Sequence, residues 1–330
     1  MTEAAPFLGY GDVQSFLVNL VRKRRLPTAI LLTGPPMIGK ATLLQHVARF
    51  LLCAQDSFCG ACASCSLPLD AHPDVLQFIP VEETELKAAV AALFRRLHER
   101  PVASPRLVVF IEVIDRLSPA ALALFLKAIE DAPRFVHFLL TAESVERVPE
   151  TVRSRALVRT LAPLSTPELV AELTHAGLPL ETAKVHGELA SGRTGLARRF
   201  ETDTALKEKY LDWHRTIQRL GTLSVGERGS VAAALDDREE AAEFLHVLQG
   251  VIRDTVRAHS ERIQELRPLR TLLRRSREAT AMLHANVPPR LVLEYVFFTP
   301  HLSTMRPEVA TAGPQARWSK GAGFTAHSPL

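Results

Sequence analysis

Eight residues, Gly34-Pro35-Pro36-Met37-Ile38-Gly39-Lys40-Ala41, constrain this chain of 330 residues more than any other stretch. They carry the G-x-x-x-x-G-K pattern of a phosphate-binding loop. Two glycines let the backbone curl its N–H groups around phosphate oxygens, Lys40 reaches toward the outer phosphates, and the helix that follows turns its N-terminal dipole toward the anion. The flanks fit: Ala29-Ile30-Leu31-Leu32 is a short buried-strand run, and Leu43, Leu44, Val47 and Leu51 recur at helical spacing. Such a strand, loop and helix belong in an α/β fold with a parallel sheet. The eighth position departs from the pattern, because Ala41 has no hydroxyl for magnesium. Thr42 is a rotation of about 100° away along the helix. The loop therefore predicts a site at Gly34, Gly39, Lys40 and Thr42 that is empty or holds ATP or ADP without hydrolysing it.

A chain this long is expected to form two or three domains. With 47% apolar and 23% charged residues it is an ordinary globular composition, and a net charge of +4 does not announce a nucleic-acid binder, although its many arginines cluster locally. The first six residues lack the basic start and apolar run of a signal peptide, and no stretch is apolar over a membrane-spanning length, so a cytoplasmic location away from membranes is expected. All four cysteines, Cys53, Cys59, Cys62 and Cys65, fall in one C-x5-C-x2-C-x2-C array. In a reducing compartment such an array reads as a structural zinc knuckle, closed to catalytic water; an iron–sulfur centre or redox thiols are the other uses of such a set. Thiolates bind metal only when deprotonated, so the ion is expected to order the loop.

Apolar runs alternate with helical patterns through the first half: Ala29–Gly34, Val75–Ile79, Leu107–Ile111, Phe135–Leu140 and Ala156–Val158 read as five strands of a parallel sheet. Leu86, Val90, Leu93, Phe94 and Leu97 make one helix face between them. Ser118-Pro119 starts another helix that Asp131-Ala132-Pro133 stops. Ser165-Thr166-Pro167-Glu168 begins a helical region with a turn at Ser191–Gly195, and long amphipathic helices follow over Ala241–Arg257 and Arg270–His284. The expected organisation is thus α/β plus all-α: a phosphate-loop domain over 1–162 with the knuckle at 53–65, a small helical lid over 163–203, a helical domain over 204–303 and a disordered tail over 304–330. Two features receive plain readings. His72-Pro73-Asp74 shapes the turn that returns the chain from the knuckle to the sheet, and Arg22-Lys23-Arg24-Arg25 is a solvated helix end rather than a nucleic-acid contact.

The order of motifs, a phosphate loop, then the four-cysteine knuckle, then Ala71–Val75, Val108–Leu117 and Thr151–Arg155, resembles the bacterial clamp-loader subunits of the AAA+ class. Motor subunits of that family end their third strand in an acidic pair that serves magnesium and the attacking water; here the matching positions are Glu112 and Val113, and valine cannot polarise water. The lid position that resembles the family's nucleotide-sensing arginine is Leu196, with Arg193 and Arg198 nearby. Ser154-Arg155-Ala156 resembles the family's Ser-Arg-Cys signature, which implies that Arg155 reaches into the ATP site of a neighbouring subunit.

The resemblance implies a non-hydrolysing subunit of the DNA polymerase III clamp loader. Its partners would be the motor subunits (tau/gamma) and the delta subunit in a hetero-oligomeric ring, with the 204–303 helices as collar, and the sliding clamp and primed DNA would be met through the complex. The competing reading is an active zinc-bearing ATPase of the motor type that uses Thr42 and Glu112.

Overall fold

Three of the five strands are rich in apolar residues, which demands cover on both faces of the sheet. In the computed structural model, which describes residues 9–78, 92–258 and 267–299, that demand is met. The chain forms two compact units: Met1–Gly187 with Gly192–Arg198, and Glu188–Ser191 with Arg199–Leu330.

The first unit holds β1 (Ala29–Thr33), β2 (Val75–Phe78), β3 (Leu107–Ile111), β4 (Val136–Ala142) and β5 (Ala156–Thr160), all parallel in the order β2-β3-β4-β1-β5. All five expected strands are present with ends shifted by up to two residues: Gly34 and Phe135 fall outside β1 and β4, β4 and β5 run on to Ala142 and Thr160, and Ile79 lies outside the described residues. Every residue of β1, β3 and β4 is buried, whereas the edge strands β2 and β5 are partly open. Alternation sends successive side chains to opposite faces. Leu31, Val109, Ile111, Phe138 and Leu140 enter one core with α4 (Pro119–Glu130) and α3 (92–97). Ile30, Leu32, Val108, Phe110 and Leu139 enter the other with α1 (Gly11–Arg22) and α2 (Lys40–Leu52). Leu93 and Leu97 are buried as their spacing requires; Leu86 and Val90 lie outside the described residues.

The connections out of β1 and β4 run to opposite sides of the sheet, because β2 and β5 lie at opposite edges. Loops leaving the carboxyl ends of such strands splay apart and open a crevice, the usual ligand position in an open parallel sheet. The loop at 34–39 leaves β1 at that point.

Local signals explain the boundaries. Ser118 Oγ accepts the Ala121 N–H ahead of Pro119, and Ser165 with Glu168 forms a reciprocal capping box at the start of α6 (Thr166–His175). A short α5 (Glu150–Arg153) leads into β5. Most of α7 (Leu180–Ala190) and α8 (Thr194–Arg199) cluster with the sheet. The second unit contains α9 (Thr204–Arg219), α10 (Val225–Ala234), α11 (Arg238–Ala258), α12 (Arg267–His284) and α13 (Pro289–Phe297). Its core is strung on aromatic rings: Tyr210 lies 5.4 Å from Phe200 and 5.0 Å from Trp213, which lies 5.7 Å from Phe244, itself 5.8 Å from Phe297. The tail expected over 304–330 lies outside the described residues.

One carboxylate holds the segment that enters β3. Asp74, fully buried, accepts N–H bonds from Val102 (2.7 Å), Ala103 (2.7 Å) and Ser104 (2.8 Å), takes the Ser104 hydroxyl, and pairs with Arg96 at 3.1 Å. The neighbouring His72 joins Ser64 Oγ to the Asp74 N–H, so His72-Pro73-Asp74 is the turn-shaping element expected of it. Burial alone would raise the Asp74 carboxyl, but those donors override it and hold it below its ordinary value of 3.8. Removing the carboxylate strands Arg96 and three N–H groups at once, so Asp74→Ala should lower unfolding free energy by about 3–5 kcal/mol in urea titration. A folded carboxyl that titrates below its unfolded value contributes fully above that unfolded value, and the contribution is lost as pH falls through the depressed one. The gap between wild type and Asp74→Ala should therefore narrow below pH 4.

Candidate functional site

The phosphate loop emerges from β1 through Gly34, at φ 143°, where a Cβ would stand 2.5 Å from the Leu161 carbonyl oxygen. Gly39, at φ 99°, caps α2 in the left-handed region. Both glycines are thus required by backbone shape and by proximity. Lys40, only 8% exposed, turns its ammonium onto the loop itself, donating to the Gly34 carbonyl at 2.6 Å and the Pro35 carbonyl at 2.8 Å. Burial lowers its pKa to about 8, against the opposing pull of Glu143, Asp115 and Glu112. Ala41 is half-buried and Thr42 is exposed, so the Thr42 hydroxyl lies on a different face of α2 from the buried Lys40.

The other side of the loop is braced by the start of α8. Leu196 N–H donates to the Met37 carbonyl at 3.0 Å, and Thr194 Oγ1 donates to the Ile38 carbonyl at 2.8 Å. Between them Gly195 packs so closely that a Cβ would lie 2.8 Å from Met37 O. Leu196, the position resembling a sensing arginine, is fully buried and meets the loop through its backbone; Arg193 is buried and Arg198 is half-buried.

Beyond β3, Glu112 is exposed, and Val113 sits at φ 50°, a region disfavoured for a β-branched residue, with its N–H donating to Thr141 Oγ1 at 2.9 Å. A charge network that the sequence reading missed lies alongside. The fully buried Asp115 carboxylate accepts the Glu143 and Ser144 N–H groups and pairs with Arg147 at 2.6 Å, while Glu143 pairs with Arg147 at 2.9 Å and with Arg116 at 2.8 Å. Asp115 stands 28 residues from Glu143, so no local pattern announces the pairing.

Arg155 precedes β5, and β5 is parallel to β1 with Ala156 beside Ala29 and Thr160 beside Thr33. It therefore stands at the amino end of the sheet, while the phosphate loop leaves the carboxyl end about 16 Å away, five residues of strand rise. Its side chain, 42% exposed, pairs with Glu130 at 2.6 Å and donates to the Thr151 carbonyl at 3.0 Å.

The four cysteines converge. Their sulfur atoms all lie within 4.8 Å of one another, which fits a single metal ion. Cys53 Sγ accepts N–H bonds from Gln55 and Cys59, and Cys62 Sγ accepts one from Cys65. Burial would raise the Cys53 thiol, but the N–H groups of Cys59, Ser57 and Gln55 bring it down to about 6. Burial pushes Cys65 up to about 12, with Cys62 and Cys53 adding to it. A cation among the sulfurs relieves the repulsion that opposes the later deprotonations.

Gly195→Ala would drive a methyl group into the Met37 peptide. It should cost about 1–3 kcal/mol in equilibrium unfolding, more than the same change at Gly226, which has open space around its Cα.

Comparison with known proteins agrees with this geometry. The family model described as DNA polymerase III, delta subunit, matches residues 10–165. The chain is 28% identical over 240 residues to DNA polymerase III subunit delta' of Escherichia coli K12, covering 70% of each protein. It is 30% identical over 167 residues to DNA polymerase III subunit delta' of Pseudomonas aeruginosa, covering 49% of this chain and 51% of that one. It is also 25% identical over 175 residues to DNA polymerase III subunit tau/gamma of Haemophilus influenzae, covering 52% of this chain and 25% of that one. With its phosphate loop, four-cysteine cluster and parallel sheet, the chain is similar to the delta' and tau/gamma subunits of DNA polymerase III.

Proposed function

We propose that this chain is a delta'-type clamp-loader subunit that does not hydrolyse ATP itself and acts on the ATP held by a neighbouring motor subunit. The observation that carries the reading is the state of the phosphate loop: no hydroxyl at Ala41, and a Lys40 ammonium already engaged by Gly34 and Pro35. Val113 adds to it, since phosphoryl transfer to water needs a residue that orients the nucleophile. Gly34, Gly39, Lys40 and Thr42 would be the residues around any retained nucleotide.

Arg155 is the residue proposed to act in trans. Its place at the end of the sheet opposite the chain's own loop removes it from its own nucleotide and leaves it exposed at an edge. A guanidinium delivered there would stabilise charge on the transferring phosphoryl group, an effect worth about 10³–10⁵ in rate in comparable systems. The proposed assembly is a cytoplasmic ring with tau/gamma and delta subunits that places a sliding clamp on primed DNA, with 163–203 as lid and 204–303 as collar. Among the described residues no helix is long and apolar enough to cross a membrane. Cys53, Cys59, Cys62 and Cys65 would hold structural zinc. An ion with four thiolate ligands has no open position for water and supplies folding energy to the loop.

The isolated chain should show no ATP turnover above background. Reconstituted with tau/gamma and delta, it should support clamp-loader ATPase that falls at least a hundredfold on Arg155→Ala; turnover by the chain alone would sink the reading in favour of a motor-type enzyme. Elemental analysis should find one zinc per chain, and metal-free protein whose four thiols still resist alkylation would count against a structural ion.

A further inference from the structure

The amino end of the sheet carries a second concave site, on the opposite side from the phosphate loop. A cavity of about 350 Å3 opens between the segments that enter β1, β3 and β4, next to the first turn of the cysteine loop. Arg24, Arg106 and Arg134 line it with one acid, Asp56, and Pro105 and Phe135 form an apolar wall. Asp56 is largely buried and shared: it pairs with Arg106 at 2.5 Å and with Arg24 at 3.2 Å. Arg106, 14% exposed, is further fixed by the Leu51 carbonyl at 2.8 Å. Arg134 is exposed and makes no hydrogen bond or ion pair with the described residues. Three guanidinium groups against one carboxylate leave an excess of positive charge around the cavity.

We infer that this cavity is a docking site for an acidic peptide segment of a partner protein, one that presents a carboxylate beside an apolar side chain. A pre-oriented guanidinium fork suits a planar carboxylate, which it can grip through two parallel hydrogen bonds. Arg106 supplies the fixed fork, Arg24 and Arg134 the exposed rim, and Phe135 with Pro105 the surface for an adjoining apolar group. Shape decides against the phosphate rail of a duplex. A group must enter the cavity to reach the largely buried Arg106, and a phosphodiester fixed in the continuous backbone of a duplex is less free to do so. A chain end or a flexible acidic side chain can. The inference is independent of the ATP reading, since neither Arg155 nor the phosphate loop contributes to the cavity.

The test uses the full chain and a fluorescein-labelled decapeptide, a Gly-Ser spacer followed by Asp-Glu-Leu-Phe with a free C-terminal carboxylate, followed by anisotropy. Binding is expected to weaken at least tenfold in Arg134→Glu and in the double variant Arg24→Ala/Arg134→Ala. Both positions are exposed, so the fold should survive, which circular dichroism would check. A peptide with amides in place of its carboxylates should not bind. A mixed-sequence oligonucleotide, single-stranded or duplex, that binds through the same arginines in preference to the peptide would overturn the proposal in favour of a nucleic-acid site. Binding of inorganic phosphate, measured by titration calorimetry, without any peptide binding would overturn the proposal and reduce the cavity to a small-anion site. Peptide binding that ignores both arginine variants would also overturn it.

Discussion

Burial of both faces of β1, β3 and β4 is the constraint from which the rest of the first unit follows. A strand with no solvent face needs cover on both sides, which a parallel sheet with crossover helices supplies, and such a sheet has two chemically different ends. At the carboxyl end, loops diverge around the phosphate-binding segment. At the amino end, short connections enter the strands and bring arginines together. The sheet thus separates the two sets of residues by the length of a strand, a spacing that no surface loop could hold as firmly.

Much of this was legible in the residues. Continuous apolar runs gave the five strands, Ser118-Pro119 and Ser165–Glu168 marked helix starts, and the cysteine spacing placed four sulfurs close enough to share an ion. These signals are local, so a single sequence carries them. What escaped were pairings made across the fold. The bonds from Asp74 to residues 102–104, and those from Asp115 to Glu143 and Arg147, join segments about 30 residues apart, and a carboxylate in either place looks like any surface acid in the sequence. The basic run at Arg22–Arg25 illustrates the limit. Its helix end was readable, yet the cavity that recruits Arg24 exists only because Asp56, Arg106 and Arg134 arrive from three other connections.

The loop at 34–39 is also better understood as a packed element than as an open cradle. Carbonyls of Gly34, Pro35, Met37 and Ile38 all accept hydrogen bonds from within the first unit, two from Lys40 and two from the start of α8. A nucleotide entering here would have to draw the Lys40 ammonium away from partners it already has in a buried setting, where such bonds are strong. Missing hydroxyl and engaged lysine therefore act in the same direction, one on metal binding and the other on phosphate binding.

The aromatic chain of the second unit has an optical consequence. The protein contains two tryptophans, Trp213 in the helical unit and Trp318 outside the described residues. Trp213 is 6% exposed, contacts Tyr210 and Phe244, and lies under the Lys209 ammonium at 4.6 Å. The Trp213 indole therefore carries an optical signal set by the packing of the helical unit, and its emission follows the melting of that unit.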